Sequence, residues 1–248
     1  MLRTVSDAMK KHIRRLLLGL GYKIYRAGGP LDRSTMDGAF RALANRKHPI
    51  GTVIDIGASN GSWSEALMRQ FPSCRYLLIE AQPVHEPALR KFCARHANAE
   101  FVLAAAGERE GRIHFDASEP LSGQASNTPF ASNDIEVPVV TLDAVLRARK
   151  LAGPYLLKFD THGYEVPILN GAAETLARTD VIIMECYNFR IAPEGLTFHE
   201  MCGYLAQRGF RCIDLVEPMH RPYDDSFWQM DLVFVRESRP EFSYEGYR

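Results

Sequence analysis

The chain lacks most of the features that assign a protein to a special class. Its five cysteines, Cys74, Cys93, Cys186, Cys202 and Cys212, are odd in number and form no C-x-x-C pair. Neither a disulfide framework nor a zinc-ribbon spacing is therefore expected, and reduced thiols in a cytoplasmic protein are the plain reading. There is no excess of charge: 30 Lys+Arg balance 30 Asp+Glu, which argues against a nucleic-acid partner bound through bulk charge. Long apolar runs are missing too. The longest near the start, residues 16–20, is too short to cross a bilayer, and no small-residue cleavage site follows it. No internal repeat or low-complexity tract occurs. What is present is ordinary globular composition, 46% hydrophobic and 24% charged, which excludes a disordered or fibrous chain. At 248 residues the economical reading is one large α/β domain. A domain of that size buries roughly 70–75% of its unfolded surface and needs no staple.

Two segments differ in texture, residues 1–50 and 51–248. In the first, Met9, Ile13, Leu16, Leu17 and Leu20 recur at helical spacing while Lys10, Lys11, Arg14 and Arg15 fill the other face. Such a helix suits an anionic membrane surface, the main domain or a second subunit. The short stripe without Trp or Phe favours packing over membrane docking, and leaves a homodimer open. Gly28-Gly29-Pro30 interrupts the segment, and residues 37–47 read as a short second helix. From Gly51 onward, apolar runs suited to buried parallel strands cover 52–56, 75–79, 100–105, 155–159 and 181–184. Helical patterns at 62–70, 87–97 and 165–177 alternate with them. That alternation predicts an α/β fold with a mostly parallel, doubly wound sheet and helices on both faces. A helix at 197–207 and strands at 211–216 and 231–235 close the chain. Between residues 111 and 140, short strands at 112–115 and 135–140 flank a polar stretch that reads as a flap beside the ligand crevice.

The most informative passage is Val53-Ile54-Asp55-Ile56-Gly57-Ala58-Ser59-Asn60-Gly61-Ser62, a strand running into a glycine turn and then a helix. Ligands bind at the carboxyl ends of such strands, and Gly57 and Gly61 let backbone approach a ligand that a Cβ would block. A dinucleotide site requires G-x-G-x-x-G, yet Ser59 and Ser62 stand where glycines belong. Asp55 is a further departure, because a carboxylate suits an ammonium group better than a pyrophosphate. The pattern favours S-adenosylmethionine, which carries an amine and no phosphate, and disfavours a nicotinamide-dependent oxidoreductase. Ala58 and Asn60 belong to the same turn. Glu80 ends the second strand near the offset at which an acid accepts bonds from ribose hydroxyls. Ala104-Ala105-Ala106 leave a flat slot for an adenine ring, with Ala105 central.

With Thr141-Leu142-Asp143 and Lys158-Phe-Asp-Thr-His-Gly-Tyr-Glu165, these motifs resemble the FkbM-type methyltransferases over roughly residues 50–236. The resemblance implies the class I methyltransferase (Rossmann-like) fold, a seven-stranded, mostly parallel sheet whose last strand is antiparallel. It implies S-adenosylmethionine-dependent O-methylation of a sugar, glycan or natural-product acceptor. The family often carries a carboxylate where this chain has His162.

Methyl transfer to a hydroxyl requires in-line alignment and removal of a proton as oxygen becomes cationic. Asp160, His162 and Glu165 lie at the carboxyl end of the fourth strand and are the catalytic candidates. Histidine titrates near neutrality, Asp160 can orient it or bind the acceptor, and Glu165 also suits a helix N-terminus. Lys158 is placed to pair with one of these acids. Glu185, Tyr187 and Trp228 are candidate acceptor contacts, the aromatics serving equally well as core. Carboxylates on neighbouring strand ends offer oxygen ligands to Mg²⁺, but are common without a metal, and none is expected. A scaffold that keeps the cofactor pocket without catalysis is the remaining alternative.

Overall fold

The computed structural model describes residues 33–247 together with Ile13, residues 15–17 and Gly19. The chain divides into two units, Met1–Arg33 and Ser34–Arg248. Of the described residues of the first, Ile13, residues 15–17 and Gly19 are helical and Arg33 lies in a turn; Ile13 and Leu16 are exposed. Met9, Lys10, Lys11, Arg14 and Leu20, the rest of the expected amphipathic pattern, lie outside the described residues. Helix α1 (Met36–Asn45), grouped with the N-terminal segment on sequence, belongs to the second unit, where Phe40 meets Trp63 edge to face at 5.1 Å. Thr35 caps this helix by accepting from the Gly38 amide. No helix among the described residues is long and apolar enough to cross a membrane.

The second unit is built on a seven-stranded sheet in the order β10 (Phe210–His220), β11 (Phe227–Arg236), β9 (Thr179–Tyr187), β8 (Tyr155–Phe159), β1 (Thr52–Ile56), β2 (Arg75–Glu80) and β3 (Ala99–Leu103). β1, β2, β3, β8 and β9 pair in parallel, while β11 runs antiparallel to both β9 and β10. This is the class I methyltransferase fold, reached through the apolar runs that β1 and β8 bury along their whole length.

Side chains alternate between the two faces with period two. Ile54, Ile56, Leu157, Phe159, Ile182 and Met184 pack on one face. Val53, Leu156, Val181, Ile183, Val233 and Val235 pack on the other, against Phe40, Leu67 and Phe92. Helices α2 (Ser62–Met68) and α3 (Glu86–Arg95) follow β1 and β2. The helix expected over 165–177 is two, α5 (Glu165–Asn170) and α6 (Ala173–Ala177), preceded in the chain by α4 (Leu142–Ala148). Gly171 separates them because the Gly107 carbonyl lies where its Cβ would be, at 2.2 Å. Helix α7 (Phe198–Ala206) opens with a capping box between Thr197 and Glu200.

Ala104 leaves the main sheet, and Ala105–Ala106 become β4 of a second sheet ordered β4, β7 (Asp134–Val140), β5 (Gly111–Asp116), β6 (Ala125–Ser126). Ile113, Phe115, Val137 and Val139 give that sheet its own small core. The polar stretch between β5 and β6 is thereby carried across the carboxyl ends of β1, β2 and β8. Thr141-Leu142-Asp143 is structural: Thr141 caps α4, and Asp143 accepts from the Glu174 and Thr175 amides and the Thr175 hydroxyl.

Candidate functional site

At the carboxyl edge of the sheet lies a cavity of about 320 Å³, walled by Gly57, Glu80, Ala105, Asp160, His162 and Glu185 among others. Its shape begins at the turn after β1. Gly57 has φ +77°, and a Cβ there would lie 2.0 Å from the Asp160 carbonyl oxygen, so β1 and β8 close on each other only with glycine at this position. The turn then directs the Ser59 amide to Glu80 Oε2 at 2.7 Å, and the Gln82 amide reaches Glu80 Oε1 at 2.7 Å. Each oxygen of this carboxylate keeps acceptor capacity after one amide bond. Glu80 is thus fixed in place and still able to receive hydroxyl donors from the cavity. Ala104, Ala105 and Ala106 form a wall without side-chain bulk beside it.

Asp55 does not join this wall. It is fully buried, and its carboxylate accepts from Ser64 Oγ at 2.7 Å and faces Lys158 Nζ at 3.5 Å. Alternation explains the departure from the sequence reading: Ile56 and Gly57 meet the cavity, while Asp55 points with Val53 toward the underside of α2. Asp55, expected to meet an ammonium group of the cofactor, thus faces Lys158 and Ser64 rather than the cavity. Ala58, Asn60 and Gly61 shape the turn behind the cavity wall, and Asn60 Oδ1 accepts from the Ser62 amide at the start of α2.

At the other end the geometry is electrostatic. Asp55 and Lys158 are register partners in β1 and β8, and Asp231 partners Glu185 across β11 and β9. Lys158 Nζ lies 2.9 Å from Asp160 Oδ2. One ammonium thus serves Asp55, Asp160, Glu185 and Asp231. Burial works against the charge on Lys158, yet the attraction of Asp55 and Asp160 prevails and raises its pKa. Burial likewise opposes ionisation of Asp160, but Lys158 and His162 hold its pKa below the ordinary value. Glu185 is raised by burial and by its neighbour Asp160. Asp231 is raised to about 7 by burial and by Glu185.

His162, in a left-handed turn at φ +50°, presents Nε2 to Asp160 Oδ1 at 3.3 Å and to Glu185 Oε2 at 3.6 Å. Glu185 is held in turn by the Tyr187 hydroxyl and the Gln229 side-chain amide. Tyr187 and Trp228 do not line the cavity; they meet edge to face at 5.8 Å, and Trp228 stacks on Phe189. Glu165 also stands outside the cavity. Its Oε1 accepts from Thr161 Oγ1 and the Gly163 amide, which fastens the turn carrying His162, and burial raises its pKa. Among the described residues Asp160, His162 and Glu185 form the one group with donor atoms close enough for a metal ion, within 4.8 Å of one another. The sequence reading missed Ser59, Gln82, Gly123 and Asp231. Ser59 was read only as a departure from a glycine motif, Gly123 only as part of the flap, and Asp231 only as the start of a closing strand.

Together, the sheet order and a cavity at the carboxyl ends of its parallel strands, lined by Glu80 and His162, define a methyltransferase-fold protein. A family model for the methyltransferase FkbM domain matches residues 55–212, and the chain belongs to that family. S-adenosylmethionine is accordingly its cofactor. The wall fits that group: Glu80 is poised for ribose hydroxyls, and no Lys or Arg among the described lining residues offers to neutralise a phosphate. No curated protein matches the chain. Among solved structures it is similar to the methyltransferase FkbM from Methylobacillus flagellatus, at 16% identity and TM-score 0.48, over 73% of this chain and 43% of that one. The 1,6-didemethyltoxoflavin-N1-methyltransferase of Burkholderia thailandensis follows at 13% identity and TM-score 0.45, over 95% and 92%. A putative tRNA (m1A22) methyltransferase from Streptococcus pneumoniae is similar at 11% identity and TM-score 0.47, over 80% and 72%.

Proposed function

We propose that this chain methylates a hydroxyl group on a sugar, glycan or natural-product small molecule, with His162 as the base and no metal ion. The observation that carries the reading is the position of His162 Nε2 in the cavity wall, 3.3 Å from Asp160 Oδ1 and 3.6 Å from Glu185 Oε2. S-adenosylmethionine supplies a methyl group on a positively charged sulfur, an electrophile that needs no further activation. The chain's part is to align and to move one proton. Glu80 receives the ribose hydroxyls, and Ala104–Ala106 receive the base. Asp160, rather than Asp55, is the acid that meets the amino-acid end of the cofactor.

His162 Nε2 takes the acceptor's hydroxyl proton as the oxygen bonds to carbon. The imidazolium so formed lies 3.3 Å from Asp160 Oδ1 and 3.6 Å from Glu185 Oε2. It then returns its proton to solvent after the products leave. Lys158 serves as the counter-ion that keeps Asp160 ionised.

The test has two parts. Calorimetry with S-adenosylhomocysteine reports cofactor binding, and incubation with S-adenosylmethionine and a panel of glycans and natural-product alcohols, read by mass spectrometry, reports transfer. His162→Ala is expected to bind S-adenosylhomocysteine as the parent does and to lose turnover by about 10²–10⁴-fold. Undiminished turnover in that variant rules out His162 as the base, and methylated amines without methylated alcohols rule out the hydroxyl acceptor.

A further inference from the structure

We infer that the backbone carbonyl of Gly123 positions the proposed base, by fixing on which ring nitrogen His162 carries its proton; the inference rests on the reading of His162 given above. Residues 117–124 cross the cavity between β5 and β6 as a strap, and Pro120, Leu121 and Gly123 line it. Side-chain donors hold the strap by its backbone. Gln82 Nε2 donates to the Glu119 and Pro120 carbonyls at 3.1 and 3.2 Å, and His85 Nε2 donates to the Pro120 carbonyl at 2.7 Å. His162 Nδ1 lies 3.1 Å from the Gly123 carbonyl.

A carbonyl oxygen only accepts, so this last contact requires the proton on Nδ1. The other edge of the ring pulls the opposite way. Asp160 and Glu185 face Nε2, and two acids favour a proton between them. Of the remaining groups around the ring, Lys158 acts through its pairing with Asp160, Glu165 fastens the turn beneath, Tyr187 meets the ring edge on at 6.5 Å, and Asp231 stands behind Glu185. A neutral imidazole has one proton to give. Without the Gly123 carbonyl the acids hold it on Nε2, and no lone pair faces the acceptor. With the carbonyl in place the lone pair sits on Nε2, and the proton taken from the acceptor completes an imidazolium that donates to Gly123 on one side and to the acids on the other.

The position demands glycine for a separate reason. A Cβ on Gly123 would lie 2.3 Å from Phe115 Cε1, 2.7 Å from the Asp116 carbonyl oxygen and 2.7 Å from Gln82 Nε2. The strap therefore seats only with no side chain there. Gln82 also links the two ends of the cavity, because its amide is fixed by Glu80 while its side chain holds the strap. Seating of the strap and readiness of the base are one event.

The experiment is ¹⁵N NMR of the histidine rings in the full chain, at a pH where they are neutral, with the His162 signals assigned by comparison with His162→Gln. The parent is expected to carry the proton on Nδ1. In Gly123→Ala the ratio of Nε2–H to Nδ1–H forms should rise about tenfold, the worth of one hydrogen bond. Turnover should fall by a similar factor, while S-adenosylhomocysteine affinity changes less than about twofold. Should Gly123→Ala fail to fold, His85→Leu frees the Pro120 carbonyl without adding bulk, and its tautomer ratio should move the same way by a smaller factor. A parent protonated on Nε2, or an unchanged ratio in both variants, overturns the inference. Full turnover in His162→Gln would instead overturn the base itself and leave the tautomer result standing.

Discussion

The two ends of the cavity solve different problems with different materials. At the cofactor end the acid is satisfied by backbone: Glu80 takes one amide on each oxygen, and the wall beside it is alanine. On the His162 side, Asp160 and Glu185 line the cavity, and Asp231 and the buried Asp55 stand behind them, around one ammonium and one imidazole. The first arrangement holds a shape. The second is short of cations, so its protons are shared and its pKa values move apart, as suits a site that must accept a proton. On the proposed reading, recognition and chemistry are separated along one crevice: the Glu80 side binds, and the crowded side reacts.

Removing the one ammonium breaks the contrast most severely. Lys158→Met leaves Asp55 buried without its cation and Asp160 without its partner, and is expected to destabilise the fold by about 3–5 kcal/mol in urea titration. A loss under about 1 kcal/mol would mean that the acids are already protonated and that the acceptor end is not charged as described. Asp231→Asn works in the other direction. A carboxyl whose folded-state pKa is raised to about 7 binds its proton more tightly in the native state than in the unfolded chain. Stability therefore falls as pH rises from about 4 to about 7, where the unfolded chain has lost that proton and the fold still holds it. Asn removes this slope and should raise stability above neutral pH by about 2 kcal/mol, some 4–8 °C in Tm. An unchanged pH–stability profile would remove Asp231 from the shared-proton group.

A paired comparison sharpens the division of labour. Glu80→Gln replaces one acceptor oxygen with a donor and should weaken S-adenosylhomocysteine binding about tenfold with turnover at saturation little altered. Glu185→Gln should lower turnover about tenfold and leave that affinity within about twofold. If both variants changed the same parameter, recognition and chemistry would not be separable along the crevice.

How much of this was legible in the sequence follows the same line. Apart from Thr52 and one charged residue each, β1 and β8 read as apolar runs, and their bounds read directly from the text. Gly57, Glu80 and Ala105 were legible as crevice residues, and they line the cavity, because a strand, its turn and the next strand end are local features with known spacing. A motif gives residue order but not which way alternate side chains point, so the burial of Asp55 was not legible; one position separates Ile56, on the cavity, from Asp55 beneath α2. Glu165 reads as a crevice acid and is a clamp on its own turn. Asp231 and Gly123 could not be read as site residues at all. Their roles depend on cross-strand register and on where an irregular strap settles, and both are set by tertiary packing. Gly171 shows the same at the level of elements, dividing a continuous helical pattern because a neighbouring backbone occupies its Cβ position.

The central claim is that one crevice runs from Glu80 to His162, with the cofactor's ribose at the first and the reacting methyl at the second. A crystal structure of the full chain with S-adenosylhomocysteine measures it directly. The ribose hydroxyls should lie within hydrogen-bond distance of Glu80, the adenine against Ala104–Ala106, and the sulfur turned toward His162 Nε2. A nucleoside bound away from Glu80, or a sulfur facing away from His162, would contradict the account.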